Sequence, residues 1–195
     1  MPSNAGERTT ANVQIGVLCK DSAVTAVVRP TRTDESPALR EIERLAGERF
    51  RKVGLPEVAD DEPASVEDLT CYAQKGRSWV VVDGMDHPVG YLLVDVVDGC
   101  AHVEQVSVRP GYHGRGLGRA LLEQVRTWAA EAGLLGITLT TFTDVAWNAP
   151  LYQHIGFRVL SEDELGPHLR EVRDKETAHG FDRTRRVCMR WELSG

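Results

Sequence analysis

The sequence predicts an α/β protein of the α+β kind, with a mixed, mostly antiparallel central sheet and helices on both faces. Three observations predict it. Residues 78–108 hold three apolar runs separated only by the turn signals "GMDHP" and "DG", the pattern of an antiparallel meander. After residue 116 the apolar spacing alternates between helical and strand periods, so later strands must be joined by helical crossovers. The 195 residues, 42% hydrophobic and 27% charged, are enough to bury a core without staples.

The elements follow in order. Residues 1–22 read as a polar extension: "MPSNAGERTTANVQ" lacks the basic start and apolar core of a secretory signal. Residues 23–195 then form one domain. Thr25 to Pro30 is a first strand, and Thr33 or Asp34 caps a helix through Phe50 with Leu39, Ile42 and Leu45 on one stripe. The Gly-, Pro- and acid-rich "VGLPEVADDEPAS" is a loop, and Ser65 caps a short helix over Val66–Gln74. Strands at 78–83, 89–97 and 100–108 make the meander. Gly116 to Ala132 is a helix with Leu117, Leu121, Val125 and Trp128 on one face. A strand at 137–142, a helix at 149–155, a strand at 157–160, a charged helical stretch at 161–181 and a strand at 186–193 complete the chain. On sequence alone the 161–181 stretch is a lid, a homodimer surface or decoration.

Composition removes several function classes. A formal net charge of −6 opposes bulk attraction to nucleic acid or anionic membranes. No apolar run approaches the ~20 residues of a membrane span. Cys19, Cys71, Cys100 and Cys188 are scattered without a CxxC pair, and the histidines show no ligand spacing. No metal site and no disulfide framework is expected; reduced thiols fit a cytoplasmic protein.

The chemistry concentrates in Arg109–Leu122, "RPGYHGRGLGRALL", which sets four glycines and three arginines before a helix. A helix start leaves unpaired N–H groups and carries partial positive charge, and glycine lets a ligand approach the backbone. The stretch is an anion seat or a glycine-rich turn. Walker A fails for want of Gly-Lys-Ser/Thr, and GxGxxG fails at its third glycine.

"VSVRPGYHGRGLGRALL" resembles the acyl-CoA-binding motif of the GNAT acetyltransferase superfamily, Arg/Gln-x-x-Gly-x-Gly/Ala between strand and helix. The pattern falls on His113-Gly114-Arg115-Gly116-Leu117-Gly118, with His113 where Arg or Gln is usual. Downstream, "WNAPLYQHIGF" resembles the second signature of that family, and the element order agrees from about residue 25 to 193.

The resemblance implies a splay between the fourth and fifth strands that takes the pantetheine arm of acetyl-CoA. By position, Val106, Ser107 and Val108 would pair with that arm. The pyrophosphate would rest on the amides of His113, Gly114, Arg115, Gly116, Leu117, Gly118 and Arg119. Asn148 contacts the cofactor or caps the next helix. The implied reaction moves an acetyl group to a primary amine in a ternary complex; the compact single domain favours a small-molecule acceptor over a protein N-terminus or lysine. A non-catalytic acyl-CoA sensor and a nucleotide-phosphate binder are the rival readings.

An alkylamine has a pKa about 10, so its neutral form costs roughly 4 kcal/mol at pH 7 and a base is needed. The leaving thiolate profits from an acid. Tyr152 occupies the tyrosine of the second signature and is the candidate acid, or a core tyrosine. His102 and Glu104 lie two apart on one strand and share a face; Glu104 is the first choice of base and His102 the second. Gln105 should point the other way. Trp147 walls the acceptor pocket or packs. Glu57, Asp60, Asp61 and Glu62, in a loop where the family shapes its acceptor site, hint at a cationic acceptor or form a solvated loop.

Overall fold

The computed structural model describes residues 14–15 and 26–193. The polar extension expected over 1–22, and Cys19 within it, lie outside the described residues apart from Gln14–Ile15.

Seven strands and six α-helices follow in the order β1 (Ala26–Pro30), α1 (Ser36–Gly47), α2 (Pro56–Ala59), α3 (Val66–Gln74), β2 (Ser78–Val82), β3 (Pro88–Val97), β4 (Cys100–Val108), α4 (Leu117–Glu131), β5 (Gly136–Phe142), α5 (Ala149–Ile155), β6 (Arg158–Val159), α6 (Pro167–Ala178) and β7 (Arg186–Glu192). They form one sheet in the spatial order β1-β2-β3-β4-β5-β7-β6, with Gln14–Ile15 added on the outer side of β1. Every pairing is antiparallel except β4 with β5.

The meander forms for the reason its turns suggest. Asp98 (φ 48°) and Gly99 (φ 75°) both adopt left-handed backbone, the type I′ geometry whose twist matches an antiparallel pair. Alternation then assigns the two faces. Leu92, Val94, Ala101 and Val103 pack against Leu121, Leu122 and Val125 of α4. Val80, Tyr91 and Leu93 pack on the other side against Leu39 and Ile42 of α1 and Leu69 of α3. At about 25 cal/mol per Å² of apolar area, these two layers dominate stability.

Some boundaries differ from expectation. Neither Thr33 nor Asp34 caps α1. The Glu35 carboxylate accepts from the Arg32 backbone N–H (2.8 Å) and pairs with the Arg29 guanidinium (2.6 Å), so residues 33–35 wind as a 3₁₀ turn and α1 starts at Ser36–Pro37. Glu48–Val53 tighten into a second 3₁₀ turn that ends at Gly54 (φ 73°). The loop after it holds α2, which opens on Pro56. Ser65 does cap α3, its Oγ accepting from the Asp68 N–H at 3.0 Å.

What positions the site is where β4 and β5 part. Their ladder holds three pairs, Ala101 with Ile137, His102 with Thr138 and Val103 with Leu139, and then stops. Beyond it β4 stays on β3 as far as Val108, and β5 stays on β7 as far as Phe142. The expected splay is there, and it opens toward the glycine loop.

Candidate active site

The backbone of β4 decides what the splay offers. The Arg109 N–H donates to the Val89 carbonyl of β3 (2.8 Å), and antiparallel alternation then turns Ser107 and Gln105 toward β3. Val106 and Val108 therefore direct their peptide groups into the opening. Two of those four groups are already engaged. The Gln105 side-chain oxygen accepts from the Val106 N–H (3.0 Å), and His113 Nε2–H donates to the Val108 carbonyl (2.8 Å). The Val106 carbonyl and Val108 N–H remain for a ligand. Ser107 offers its backbone to β3 instead, so of the three residues expected to pair with an arm, only Val106 and Val108 face the opening.

The glycine loop completes the opening at its end. Gly116 holds left-handed backbone (φ 73°) immediately before α4. Among the described residues no backbone N–H from His113 to Arg119 donates to another protein group; the Ala120 N–H is the first that does, to Gly116. Arg115 bonds the Gly111 carbonyl (2.9 Å), and the Arg119 side chain approaches Glu123 (3.7 Å), so both arginines are directed by the loop and its helix. His113, standing where the resemblance expects Arg or Gln, ties the loop back to β4. At Gly118 the backbone is helical and an added Cβ would meet nothing within 4 Å. Neither packing nor φ requires glycine there, and alanine would be the better helix former by up to about 1 kcal/mol. An open seven-residue row of amides at a helix start suits an anion.

The candidate base sits on a defect in β4. Leu93 pairs with Gln105 and Val94 with Val103, leaving Glu104 as the extra residue of a β-bulge. Alternation breaks there, so His102 and Gln105 fall on the same side of the sheet. Gln105 donates to Glu43 of α1 rather than facing away, contrary to expectation. Glu43 also accepts from Tyr91, and burial raises its carboxyl above the ordinary range.

Glu104 retains 36% side-chain exposure, and the exposed part opens on a cavity of about 320 Å³ lined by Asp95, His102, Thr140, Glu176 and Arg186. Burial, aided by the neighbouring charges of Asp95 and Glu176, pushes the Glu104 carboxyl up to about 7. His102 is nearly inaccessible at 1% exposure, hydrogen-bonds with Thr138 through Nδ1 (3.0 Å), and is held down to about 4 by burial. Its Nε2 lies 4.0 Å from Glu104. The neutral ring is a packed neighbour of Glu104 in the cavity wall.

On the other side of the opening, α5 carries Tyr152. Its ring packs on Phe157 (5.6 Å), and burial raises the phenol to about 12, opposed by the nearby Arg49 and Arg186 guanidiniums. The phenol is thus a protonated donor at neutral pH. Asn148 is buried and starts α5 without a side-chain cap; its backbone carbonyl accepts the Tyr152 N–H at 3.0 Å. The structure removes capping as the reason for Asn148. Trp147 packs edge-on to Phe50 (5.7 Å), its buried Nε1–H has no partner, and the Arg49 guanidinium lies 3.7 Å over its ring. An unpartnered buried N–H costs about 1–3 kcal/mol.

Sequence reasoning missed three contributors here: Arg49, the Arg186–Glu176 ion pair (2.6 Å), and α6, whose Val172 and Lys175 complete the cavity wall. A lone arginine in a charged helix carries no signal before folding. The acidic loop, by contrast, is partly paired within the chain: Asp60 pairs with Arg51 (2.5 Å) and Glu62 with Arg40 (3.2 Å), and Asp61 lies 3.0 Å from His179. Among the described residues no group of three or more His, Cys, Asp or Glu side chains is arranged to hold a metal, and no helix is long and apolar enough to cross a membrane.

Comparison with known proteins fits this geometry. The model of the acetyltransferase (GNAT) family matches residues 38–157, from α1 to the end of α5. The chain belongs to that family. This GNAT protein is 32% identical over 121 residues to the uncharacterized N-acetyltransferase YjcF of Bacillus subtilis, covering 60% of this chain and 84% of YjcF. It is 26% identical over 103 residues to the peptidyl-lysine N-acetyltransferase YjaB of Salmonella typhimurium, covering 52% of this chain and 65% of YjaB. Among solved structures its fold is similar to the PaiA N-acetyltransferase of Thermoplasma acidophilum in complex with coenzyme A, with a TM-score of 0.61 at 14% identity over 85% of this chain and 97% of that one. The GNAT protein is accordingly an N-acetyltransferase, and its fold brings the splay and the glycine loop together before α4.

Proposed function

We propose that this GNAT enzyme transfers the acetyl group of acetyl-CoA to the primary amine of a small molecule by direct attack in a ternary complex. The observation that carries the reading is the free row of amides at 113–119, continuous with the unpaired Val106 carbonyl and Val108 N–H. Such a row suits a diphosphate, and the two β4 groups suit the amides of a pantetheine arm. PaiA in complex with coenzyme A supports the same cofactor here.

Glu104 then takes a proton from the incoming ammonium, directly or through one water, and its pKa near 7 matches that task. The amine nitrogen adds to the thioester carbonyl, forming the C–N bond. As the C–S bond breaks, the Tyr152 hydroxyl gives its proton to the departing sulfur and regains one from the nitrogen, which sheds its second proton as the amide forms; the proton held by Glu104 passes to solvent. The products are an amide and coenzyme A, and no covalent acyl-enzyme is needed. Cys100 and Cys188 are buried free thiols with raised pKa, which suits structural cysteines rather than nucleophiles, and free thiols suit the cytoplasm.

Similarity to YjaB favours a second reading, a lysine of a protein as acceptor. The position of α6 beside the cavity favours the smaller acceptor. Thiol release from acetyl-CoA, measured with a panel of amines and a panel of lysine peptides and followed by mass identification of the product, separates the two. Tyr152→Phe should lower kcat about 100-fold with KM for acetyl-CoA nearly unchanged. Tight acetyl-CoA binding without turnover in either panel would overturn the enzyme reading in favour of a sensor.

A further inference from the structure

Arg49 is the group the acetyl-transfer chemistry leaves unused. Its guanidinium is partly buried over the Trp147 ring, and no carboxylate among the described residues pairs with it. The other cations nearby are neutralised. Arg186 is paired with Glu176 (2.6 Å), Arg185 with Asp144 (2.7 Å) and Arg51 with Asp60 (2.5 Å). Burial lowers the Arg49 pKa to about 10, the signature of a charge lacking a partner.

The same corner contains a second unanswered donor, the buried Nε1–H of Trp147. Arg49 stands close enough to Tyr152 to favour the ionised phenol, and its guanidinium lies 3.7 Å over the Trp147 ring that carries the second donor. A chain of ring contacts runs from Trp147 through Phe50 and Phe142 to Arg186, whose guanidinium lies 4.7 Å over Phe142. Arg186 lines the cavity with Glu104 and Asp95 and, like Arg49, acts on the Tyr152 phenol, so Tyr152 links those carboxylates to the unpaired donors. The glycine loop already supplies donors for the phosphates of a cofactor, so the anion wanted at Arg49 belongs to the second substrate.

We propose that the acceptor is an amine that also bears a carboxylate, and that Arg49, with the Trp147 N–H, holds that carboxylate while the amine faces Glu104. A planar guanidinium already stacked on an aromatic ring is preorganised for a carboxylate. The proposal rests on the acetyl-transfer reading and narrows its substrate class to amino-acid-like compounds.

The test compares standard amino acids, β-alanine and 4-aminobutyrate, each beside its methyl ester or amide, in the thiol-release assay, with acetyl-CoA binding measured in parallel. For the wild type, kcat/KM of the best free acid should exceed that of its ester by about 10- to 100-fold. Arg49→Met should erase that preference through acceptor KM while leaving acetyl-CoA binding in place. Arg49→Lys should restore part of it. Trp147→Phe, which keeps the ring and removes the N–H, should weaken it to a lesser degree.

Equal use of acid and ester by the wild type overturns the proposal, as does an Arg49→Met loss in kcat that is the same for both; the latter would assign Arg49 to the transition state. Turnover of peptides or uncharged amines in preference to acids overturns this proposal alone. Acetyl-CoA binding with no turnover in any series removes the acetyl-transfer reading, and this one with it.

Discussion

Glu104 shows how much a single inserted residue can change. The bulge places its carboxylate between Asp95 and Glu176, and burial with those charges raises it to about 7. Below that value the carboxylate is protonated, so if it is the base, as proposed, kcat/KM should rise with pH through about 7; Glu104→Gln should abolish that limb and lower kcat about 100-fold. A pH profile unchanged in Glu104→Gln would assign the limb to another group. The linked stability has the opposite sign. Between pH 4.5 and about 7 the folded chain keeps a proton that the unfolded chain has released, so this group's contribution falls as pH rises. His102 acts the other way. Its folded value near 4 means stability is lost as pH falls below about 6.5. Gly118 provides the sharper test of the loop. Gly118→Ala should raise stability by about 0.5–1 kcal/mol, since the site is helical and open, while raising KM for acetyl-CoA by placing a methyl in the cradle. A more stable variant with unchanged KM would mean that no ligand sits there. At this scale the placing of the glycines before α4 and of Tyr152 on α5 was legible from motif, and the nearness of His102 to Glu104 from strand parity. The bulge that reorients Gln105, and the isolation of Arg49, were not, because each depends on partners distant in sequence.

Among the elements, α6 was the least readable. Its charged sequence shows no strong apolar stripe, so a helix could be expected but not a location. The structure fixes it through Asp98 of the β3–β4 turn, which accepts from the Leu169 N–H (2.9 Å), the His168 N–H (3.3 Å) and His168 Nδ1 (2.8 Å). Gly166 is required at this junction because a Cβ there would overlap the Asp98 carboxylate. The far end is anchored by Arg186, whose guanidinium pairs with Glu176 and donates to Thr140 (2.9 Å). Asp98→Ala should therefore increase amide exchange across 167–178 and raise acceptor KM with little effect on acetyl-CoA binding. Exchange confined to the turn would show that α6 is held by its apolar contacts alone. The His168–Asp98 tie has a defined window. The His168 pKa is raised, so its contribution is complete below about 6.5 and is lost as pH rises through the folded value; the Asp98 pKa is lowered, so its contribution is present above 3.8 and is lost as pH falls further.

For the molecule as a whole, the order of elements and the meander were visible because short-range signals such as Asp98-Gly99 specify antiparallel neighbours. The insertion of β7 between β5 and β6 was not visible, since no local pattern announces which edge a returning strand will join. The parting of β4 from β5 after Val103 came from the resemblance and not from periodicity. A ligand spanning that gap should couple the two halves of the sheet. Acetyl-CoA at 100 times its Kd should add about 2.7 kcal/mol, a rise in Tm of roughly 5–10 °C for a chain of this size. No shift at saturation would count against the splay as the cofactor seat.

That seat has an uncommon relation to mutation. Replacing an amino acid swaps what hangs from the main chain and leaves the peptide groups themselves untouched. As proposed, a site assembled from the carbonyl of Val106, the amide of Val108 and the amides of the loop would therefore change much of its lettering and still work. Its vulnerability lies in added bulk or altered torsion, at Gly116 and Gly118 above all. Truncating the neighbouring side chains one at a time would make the seat look far less important than it is.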